Sequence, residues 1–431
     1  MTAELERDGA SRRAALSALA LGAGALWGGA ALAHPLFATR RSDGLYAFGE
    51  REPLLALEEA WNAPIIIDRF DMVEAGAESV LLRVVSRDGA MGVTAASPNK
   101  WAEVRPLLVN LVKPFLLGKD ARRLERHLWD FSRRQYEYAG APMWNAWGHA
   151  ECAVLDLLGQ VTGRRVADLL GGVRRTEIPF YISSNKRGGP PEAEVEALRT
   201  ALAESGCMGV KIKVGARMNR NRDAEPGWTP GIVRETRRRL GDAVTIYADA
   251  NGAYDAPTAL EVARLLEDHD VAMFEEPCPG DDMVMTGQVT AALSKRRLRP
   301  FKLLIGGGEN EGNPTVWRQW IDGRHLDVAQ PDPQYGGGLI HCIAVARLCA
   351  AAGLKFNPHW PREGAEQAPL VHLCAAAPEL WGLQEYRLRP REHPYGPVST
   401  YRLENGVMKL PDAPGFGVGY DPALWTRATP L

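Results

Sequence analysis

The sequence carries almost no surplus charge: 51 Lys and Arg stand against 53 Asp and Glu, a formal net charge of −2 at pH 7. That balance removes the electrostatic case for a nucleic acid or an anionic membrane surface as partner. Cysteine is scarce, six in 431 residues, and no two form a CxxC pair. This excludes the common thiolate metal clip and the thioredoxin-type redox pair. Cys342 and Cys349, seven apart on an apolar helix, read as core packing. Low-complexity tracts and solenoid repeats are also missing, so array architectures fall away. What remains is an ordinary globular composition, 45% hydrophobic and 24% charged, in a chain too long for one average domain.

One long uncharged run does exist, at the N-terminus. Arg12 and Arg13 precede an Ala/Gly/Leu stretch from Ala14 to Ala33, which closes on Ala31-Leu32-Ala33. The pattern resembles a bacterial twin-arginine export signal, so residues 1–33 are expected to engage that export machinery and direct the protein to the periplasm. An uncleaved membrane anchor, or a cytoplasmic protein with a misassigned start, are the alternatives. Residues 34–60 read as a linker.

From Pro64 the pattern becomes strand-like. Pro64–Asp68 and Ser79–Val85 are apolar runs, and the turn Arg87-Asp88-Gly89-Ala90 joins the second to Met91–Thr94 as a hairpin. Helical periodicity follows over Pro106–Leu116 and Met143–Gly159. Sheet first and helices after predict an α+β domain over 61–175. Past Gly172 strands and helices alternate. Eight strand candidates end in Phe180–Ser183, Gly209–Val214, Val244–Ala248, Val271–Phe274, Phe301–Ile305, Leu326–Ala329, Leu354–Phe356 and Leu380–Gln384. Eight parallel strands with intervening helices predict an α/β barrel over 176–390, with function at the C-terminal strand ends. Residues 391–431 are expected to return to the first domain.

Three acids end successive barrel strands: Asp249, Glu275 and Glu309, 26 and 34 residues apart. One strand plus one crossover helix takes about 30 residues, so the three would converge at one mouth. Like charges so placed force a protonation unless a cation is present, and oxygen ligands with open positions suit Mg²⁺. Taken singly, each acid could instead cap the helix that follows it. Lys211 and Lys213, two apart on a strand, point the same way. Their mutual repulsion and desolvation are expected to lower an ammonium pKa toward neutrality, giving a base; an exposed amphipathic strand is the alternative. His359 lies 27 residues, one barrel unit, beyond Asp332. The carboxylate can orient the imidazole and raise its basicity. Glu385 ends the last strand and could be a further acid.

Taken together, Lys211-x-Lys213, Asp249 with Asn251, Glu275-Glu276-Pro277, Glu309, Asp332 and His359, with the join at Arg164–Gly172, resemble the mandelate racemase / muconate lactonizing enzyme family of the enolase superfamily. The resemblance covers residues 61–431. It implies a modified TIM barrel, (β/α)7β, under an N-terminal α+β capping domain. It also implies one Mg²⁺ per subunit on Asp249, Glu275 and Glu309, binding the substrate carboxylate and stabilising an enediolate. Lys213 would be one base and the His359–Asp332 dyad the other, on opposite faces. Lys211 would balance charge and Glu385 stabilise the intermediate. The expected reaction is dehydration of an acid sugar to a 2-keto-3-deoxy acid by a homo-oligomer; racemisation or epimerisation of a 2-hydroxy acid is the alternative.

Outside that resemblance, a glycoside hydrolase using Glu275 and Glu385, or a non-catalytic acid-sugar binding protein, would also fit the barrel. The connection Arg69–Glu78 is short, so specificity is expected from the Ala95–Trp101 loop, residues 34–60 or a neighbouring subunit. Asn185, Lys186, Asn251, Asn310 and Trp360 are candidate substrate contacts. Asn185-Lys186-Arg187 could receive a second anionic group.

Overall fold

A computed structural model describes residues 53–74, 80–97, 100–295, 303–387 and 401–431. The leader and residues 34–52 lie outside the described residues. Among those described, no helix is long and apolar enough to cross a membrane.

The first domain opens with three antiparallel strands, β1 (Ile67–Glu74), β2 (Val80–Ser86) and β3 (Met91–Ala95). Gly89, at φ +85°, closes the expected β2–β3 hairpin, a backbone region glycine enters without steric cost. β1 begins later than its apolar run suggests. Residues Arg69–Glu74, read above as connection, are strand, because Asp71 is buried against Arg83 at 2.5 Å and so can lie inside the sheet. The connection shrinks to 75–79, outside the described residues.

Residues 53–60 are tied down rather than free. The backbone N–H groups of Leu54 and Leu55 donate to Glu125 at 2.7 and 3.0 Å, and Leu55 and Leu57 are buried. The helix expected over Pro106–Leu116 is interrupted by a wide π turn at Leu108–Val112. Pro114 has no N–H to donate to the carbonyl of Asn110, so regular i→i+4 bonding fails there.

The 22-residue helix Ala141–Thr162 joins the two parts of the molecule. Three of its contacts are backbone-close. β3 meets it at Gly92, where a Cβ would lie 2.1 Å from the Ala153 carbonyl; its own Gly148 meets Gln334 of the barrel; and its Gly159 meets Gly415.

Eight parallel strands form the second domain: β4 (Glu177–Ser183), β5 (Gly209–Lys213), β6 (Thr245–Asp249), β7 (Met273–Glu275), β8 (Leu304–Gly307), β9 (Val328–Ala329), β10 (Lys355–Phe356) and β11 (Gln384–Arg387). They pair in sequence order from β4 to β10, and β11 pairs β4. A parallel bridge from Phe356 to Leu380 links the two ends. A helix follows each of the first seven strands, so the barrel is (β/α)7β. The last strand sits later than expected, because Gly382 at φ +64° breaks the extended chain after Leu380.

Residues 401–431 run back over both parts. β12 (Val407–Lys409) pairs β4 antiparallel, and β13 (Thr429–Pro430) pairs β1.

The period of two along each strand sets the site. Tyr181, Tyr247, Met273 and Val328 pack with Leu304 as one buried apolar cluster. Two residues on stand Ser183, Asp249, Glu275 and Gln330. The barrel interior is therefore an apolar plug topped by a polar layer.

Candidate active site

The polar layer is built by strand register. Lys213 lies opposite Asp249, Asp249 opposite Glu275, and Glu275 opposite Gly306, three residues before Glu309. Lys211 is completely buried beneath this row. Its ammonium lies 3.0 Å from Glu275, 3.0 Å from Glu385 and 3.8 Å from Asp249. Burial alone would discharge Lys211, but Glu275, Glu385 and Asp249 outweigh it and hold its pKa well above the usual value. Three carboxylates surround this residue, so it stays charged, in keeping with the charge-balancing place expected of it.

Lys213 is mostly buried and hydrogen-bonds to Asp249, with Asn251 Oδ1 at 3.2 Å. Asn251 is at φ +45°, and its backbone N–H donates to Asp249 at 2.7 Å. Arg187 donates to the Gly215 carbonyl at 2.8 Å and to Asn251. Burial would raise the pKa of Asp249, but Lys213, Lys211 and Arg187 lower it. Glu275 moves the other way: burial pushes it up to about 7, against the pull of Lys211.

From the other side comes His359, just past β10. Its Nδ1 is 2.8 Å from Asp332, whose second oxygen accepts from the backbone N–H groups of Gln334 and Tyr335. Its Nε2 is 3.0 Å from Glu309 and 3.7 Å from Glu385. Burial opposes charge on this imidazole, yet Glu309, Glu385 and Asp332 hold its pKa well above normal. Glu385 accepts from Ser183 at 2.6 Å; burial would raise it, but Lys211 and His359 bring it down to about 2.

Above the layer lies a cavity of about 990 Å³. Lys213, Glu309, His359, Glu385, Asn185, Asn251 and Asn310 all line it; Lys211, Asp249, Glu275 and Asp332 are buried behind that lining. Two expected contacts are not on this wall. Lys186 lines a separate side pocket. Trp360 is buried, with its indole N–H on the Glu366 carbonyl at 2.9 Å. In both cases a bulky neighbour of a site residue follows the chain away from the mouth. The wall also contains Lys100 and Tyr335. The Lys100 ammonium reaches Asn310 at 3.0 Å and sits 4.0 Å over the Tyr335 ring. Gln330, 3.0 Å from Glu275, was likewise missed. Its spacing two residues before Asp332 was the one signal available.

Glu275, Glu309 and His359 each offer an atom within 4.8 Å of the others. Asp249 is drawn from this group by Lys213, so the compact donor cluster differs by one member from the expected ligand set. The residues fit a hard divalent cation nonetheless. The carboxylates are adjacent in register, and burial with like charge makes Glu275 a poor anion in isolation, a strain a cation relieves. The glycosidase pair, Glu275 and Glu385, is bridged by Lys211, and Glu275 is absent from the cavity wall.

Residues 54–171 match the mandelate racemase / muconate lactonizing enzyme N-terminal domain, and residues 193–424 match the enolase C-terminal domain-like family. The chain is 26% identical over 361 residues to arabinonate dehydratase of Saccharolobus solfataricus, covering 80% of this chain and 89% of that one. It is 26% identical over 357 residues to D-galactonate dehydratase of Ralstonia nicotianae, with 80% and 89% covered. Among solved structures, a putative racemase from Roseobacter denitrificans superposes with a TM-score of 0.77 at 31% identity, over 85% of this chain and 99% of that one. A mandelate racemase/muconate lactonizing protein from Paracoccus denitrificans complexed with magnesium gives 0.74 at 25% identity, with the same coverage.

Proposed function

The chain belongs to the mandelate racemase / muconate lactonizing enzyme family of the enolase superfamily, and on that premise we propose that it removes the α-proton of a hydroxy-carboxylate and dehydrates an acid sugar to a 2-keto-3-deoxy acid. One observation carries the reading. An amine, Lys213, and an imidazole backed by a carboxylate, His359 with Asp332, face one cavity from β5 and β10, with the acid row between them.

A Mg²⁺ held by Asp249, Glu275 and Glu309 would supply positive charge against the substrate carboxylate and the charge that develops there. Lys213 is the group placed to take the α-proton, and the C–H electrons enter a C=C bond. The bond from the β-carbon to its hydroxyl then breaks. His359, kept protonated by Glu309, Glu385 and Asp332, delivers a proton to that oxygen, which leaves as water. The enol so formed tautomerises to the 2-keto acid. Asp332 fixes the imidazole through Nδ1, leaving Nε2 toward the cavity. Lys211 stays charged below and offsets the buried acids.

A second reading is racemisation, with Lys213 and His359 exchanging protons on opposite faces; the similarity to the Roseobacter protein favours it. Incubation with a library of mono- and diacid sugars and Mg²⁺ decides. Dehydration predicts 2-keto products, abolished by EDTA and restored by Mg²⁺. Exchange of α-deuterium with no keto acid formed would replace dehydration by racemisation. Turnover that survives EDTA would remove both.

A further inference from the structure

The loop after β5 holds three non-glycine residues in the left-handed region: Arg217 at φ +71°, Asn219 at +57° and Asn221 at +46°. Asparagine tolerates this conformation through its short polar side chain; arginine has no such compensation, and the cost is on the order of 1 kcal/mol. The loop is nevertheless pinned. The Asn219 and Asn221 N–H groups donate to the Gly252 and Ala253 carbonyls, both at 2.8 Å. Asn221 also exchanges two hydrogen bonds with Asp255, at 2.8 and 3.0 Å. An arginine fixed so firmly in a disfavoured conformation calls for a compensating role.

Its place in the wall suggests one. Besides the His359 imidazole, five lysine and arginine side chains line the cavity: Lys100, Arg187, Lys213, Arg217 and Arg387. Lys213 is on Asp249, Arg187 on three carbonyls and Asn251, Lys100 on Asn310, and Arg387 is engaged as well. Arg217 is exposed and, among the described residues, hydrogen-bonds to no acceptor and pairs with no carboxylate. Glu276, Asp281, Glu309, Glu311 and Glu385 share the wall, but none of them forms an ion pair with Arg217. Arg217 also lies near enough to Arg187 to depress its basicity, after burial. With Arg187 committed to backbone carbonyls and Asn251, the Arg217 guanidinium is left on the same cavity wall with its donors open to an incoming anion.

We propose that Arg217 is a specificity-determining residue, receiving a second anionic group of the substrate, distinct from the carboxylate that the acid row would hold through its cation. This rests on the proposed α-proton chemistry for the placement of the first carboxylate. The favoured substrate is thus dianionic, with a terminal carboxylate or phosphate, rather than a simple aldonate. A cavity of about 990 Å³ leaves room for so extended a molecule.

Binding is read apart from turnover. Thermal shift and titration calorimetry, with Mg²⁺ present, compare glucarate, gluconate and 6-phosphogluconate on the full chain and on Arg217→Gln and Arg217→Gly. The wild-type protein should bind glucarate or 6-phosphogluconate at least tenfold more tightly than gluconate, the better of the two identifying the terminal group. Both variants should lose on the order of 10- to 100-fold in that affinity, the worth of a charge-assisted hydrogen bond, with gluconate affinity changed less than threefold. Arg217→Gly relieves the backbone strain, so its thermal midpoint should equal or exceed the wild-type value. Equal binding of mono- and dianions by the wild-type protein, or undiminished dianion binding by both variants, overturns the proposal. Absence of keto acid or α-exchange with any of the acids strikes the proposed chemistry instead, leaving the binding comparison to decide Arg217.

Discussion

Lys213 and His359 occupy chemically unequal surroundings. Lys213 has one carboxylate and one amide for company; His359 has three carboxylates within 3.7 Å. In the proposed dehydration, that asymmetry suits the amine to proton removal and the imidazole to proton delivery. Lys213→Ala should therefore lose both α-deuterium exchange and keto-acid formation, by roughly 10²- to 10⁴-fold, the usual value of a positioned general base. His359→Asn should lose keto-acid formation to a similar degree while retaining exchange at the α-carbon. Proton NMR in D2O reads both signals in one sample. Exchange surviving in Lys213→Ala and vanishing in His359→Asn would reverse the roles. The gathering of Lys213 and His359 at one cavity was legible in sequence because each lies at or just past the end of a strand of a regular repeat. Lys100 and Tyr335 were not, since they meet only when the first domain folds over the barrel, and nothing local to either residue records that approach. The partners of Lys211 were hidden for the same reason: the sequence places Lys213 beside it, but not Glu275 and Glu385.

Among the elements, the contact of β3 with the helix Ala141–Thr162 leaves least room. A methyl group at Gly92 would lie 2.1 Å from both the Ala153 carbonyl and the Leu157 nitrogen, and backbone atoms cannot step aside. Gly92→Ala should thus destabilise the protein by about 2–3 kcal/mol, typical of forced overpacking, read as a lowered midpoint in urea denaturation. Gly89→Ala tests strain without crowding, since nothing lies within 4 Å of a Cβ there. It should cost only about 1 kcal/mol for its left-handed backbone. Equal losses at the two positions would show that crowding does not govern Gly92. Periodicity revealed the helix and the hairpin but not this closeness. It also missed the extent of β1, whose Asp71 looks like a loop residue until Arg83 is placed across from it. The wide turn at Leu108–Val112 escaped notice because its cause, Pro114, acts on a carbonyl four residues back.

At the scale of the whole molecule, buried titratable groups on that same helix and on two barrel helices couple stability to pH. Glu151 accepts from Trp147 Nε1 and from the Ile340 N–H at the start of a barrel helix, both at 2.8 Å. It is fully buried; desolvation exceeds these hydrogen bonds and pushes it up to about 8. A raised carboxyl binds its proton more readily in the folded state than in the unfolded one, where the ordinary value is about 4.5. Its stabilising contribution is therefore complete below about pH 4.5 and is lost as pH rises through about 8. The buried imidazoles act in the opposite sense. Burial lowers His149 and His341 to about 4 and His372 to about 3, so their contribution is present above about pH 6.5 and declines as pH falls. The two sets overlap, and the pH curve of the wild-type protein alone cannot separate them. Glu151→Gln can, because it deletes one proton-binding group and leaves the imidazoles in place. The stability of the wild-type protein relative to this variant should fall by roughly 3–4 kcal/mol between pH 5 and pH 8, at about 1.4 kcal/mol per pH unit. Urea midpoints measured at unit pH intervals give the difference directly. A difference that stays constant across this range would mean that Glu151 remains ionised at the joint, with the helix N-terminus at Ile340 and the Trp147 indole sufficient to hold a buried anion between the two domains.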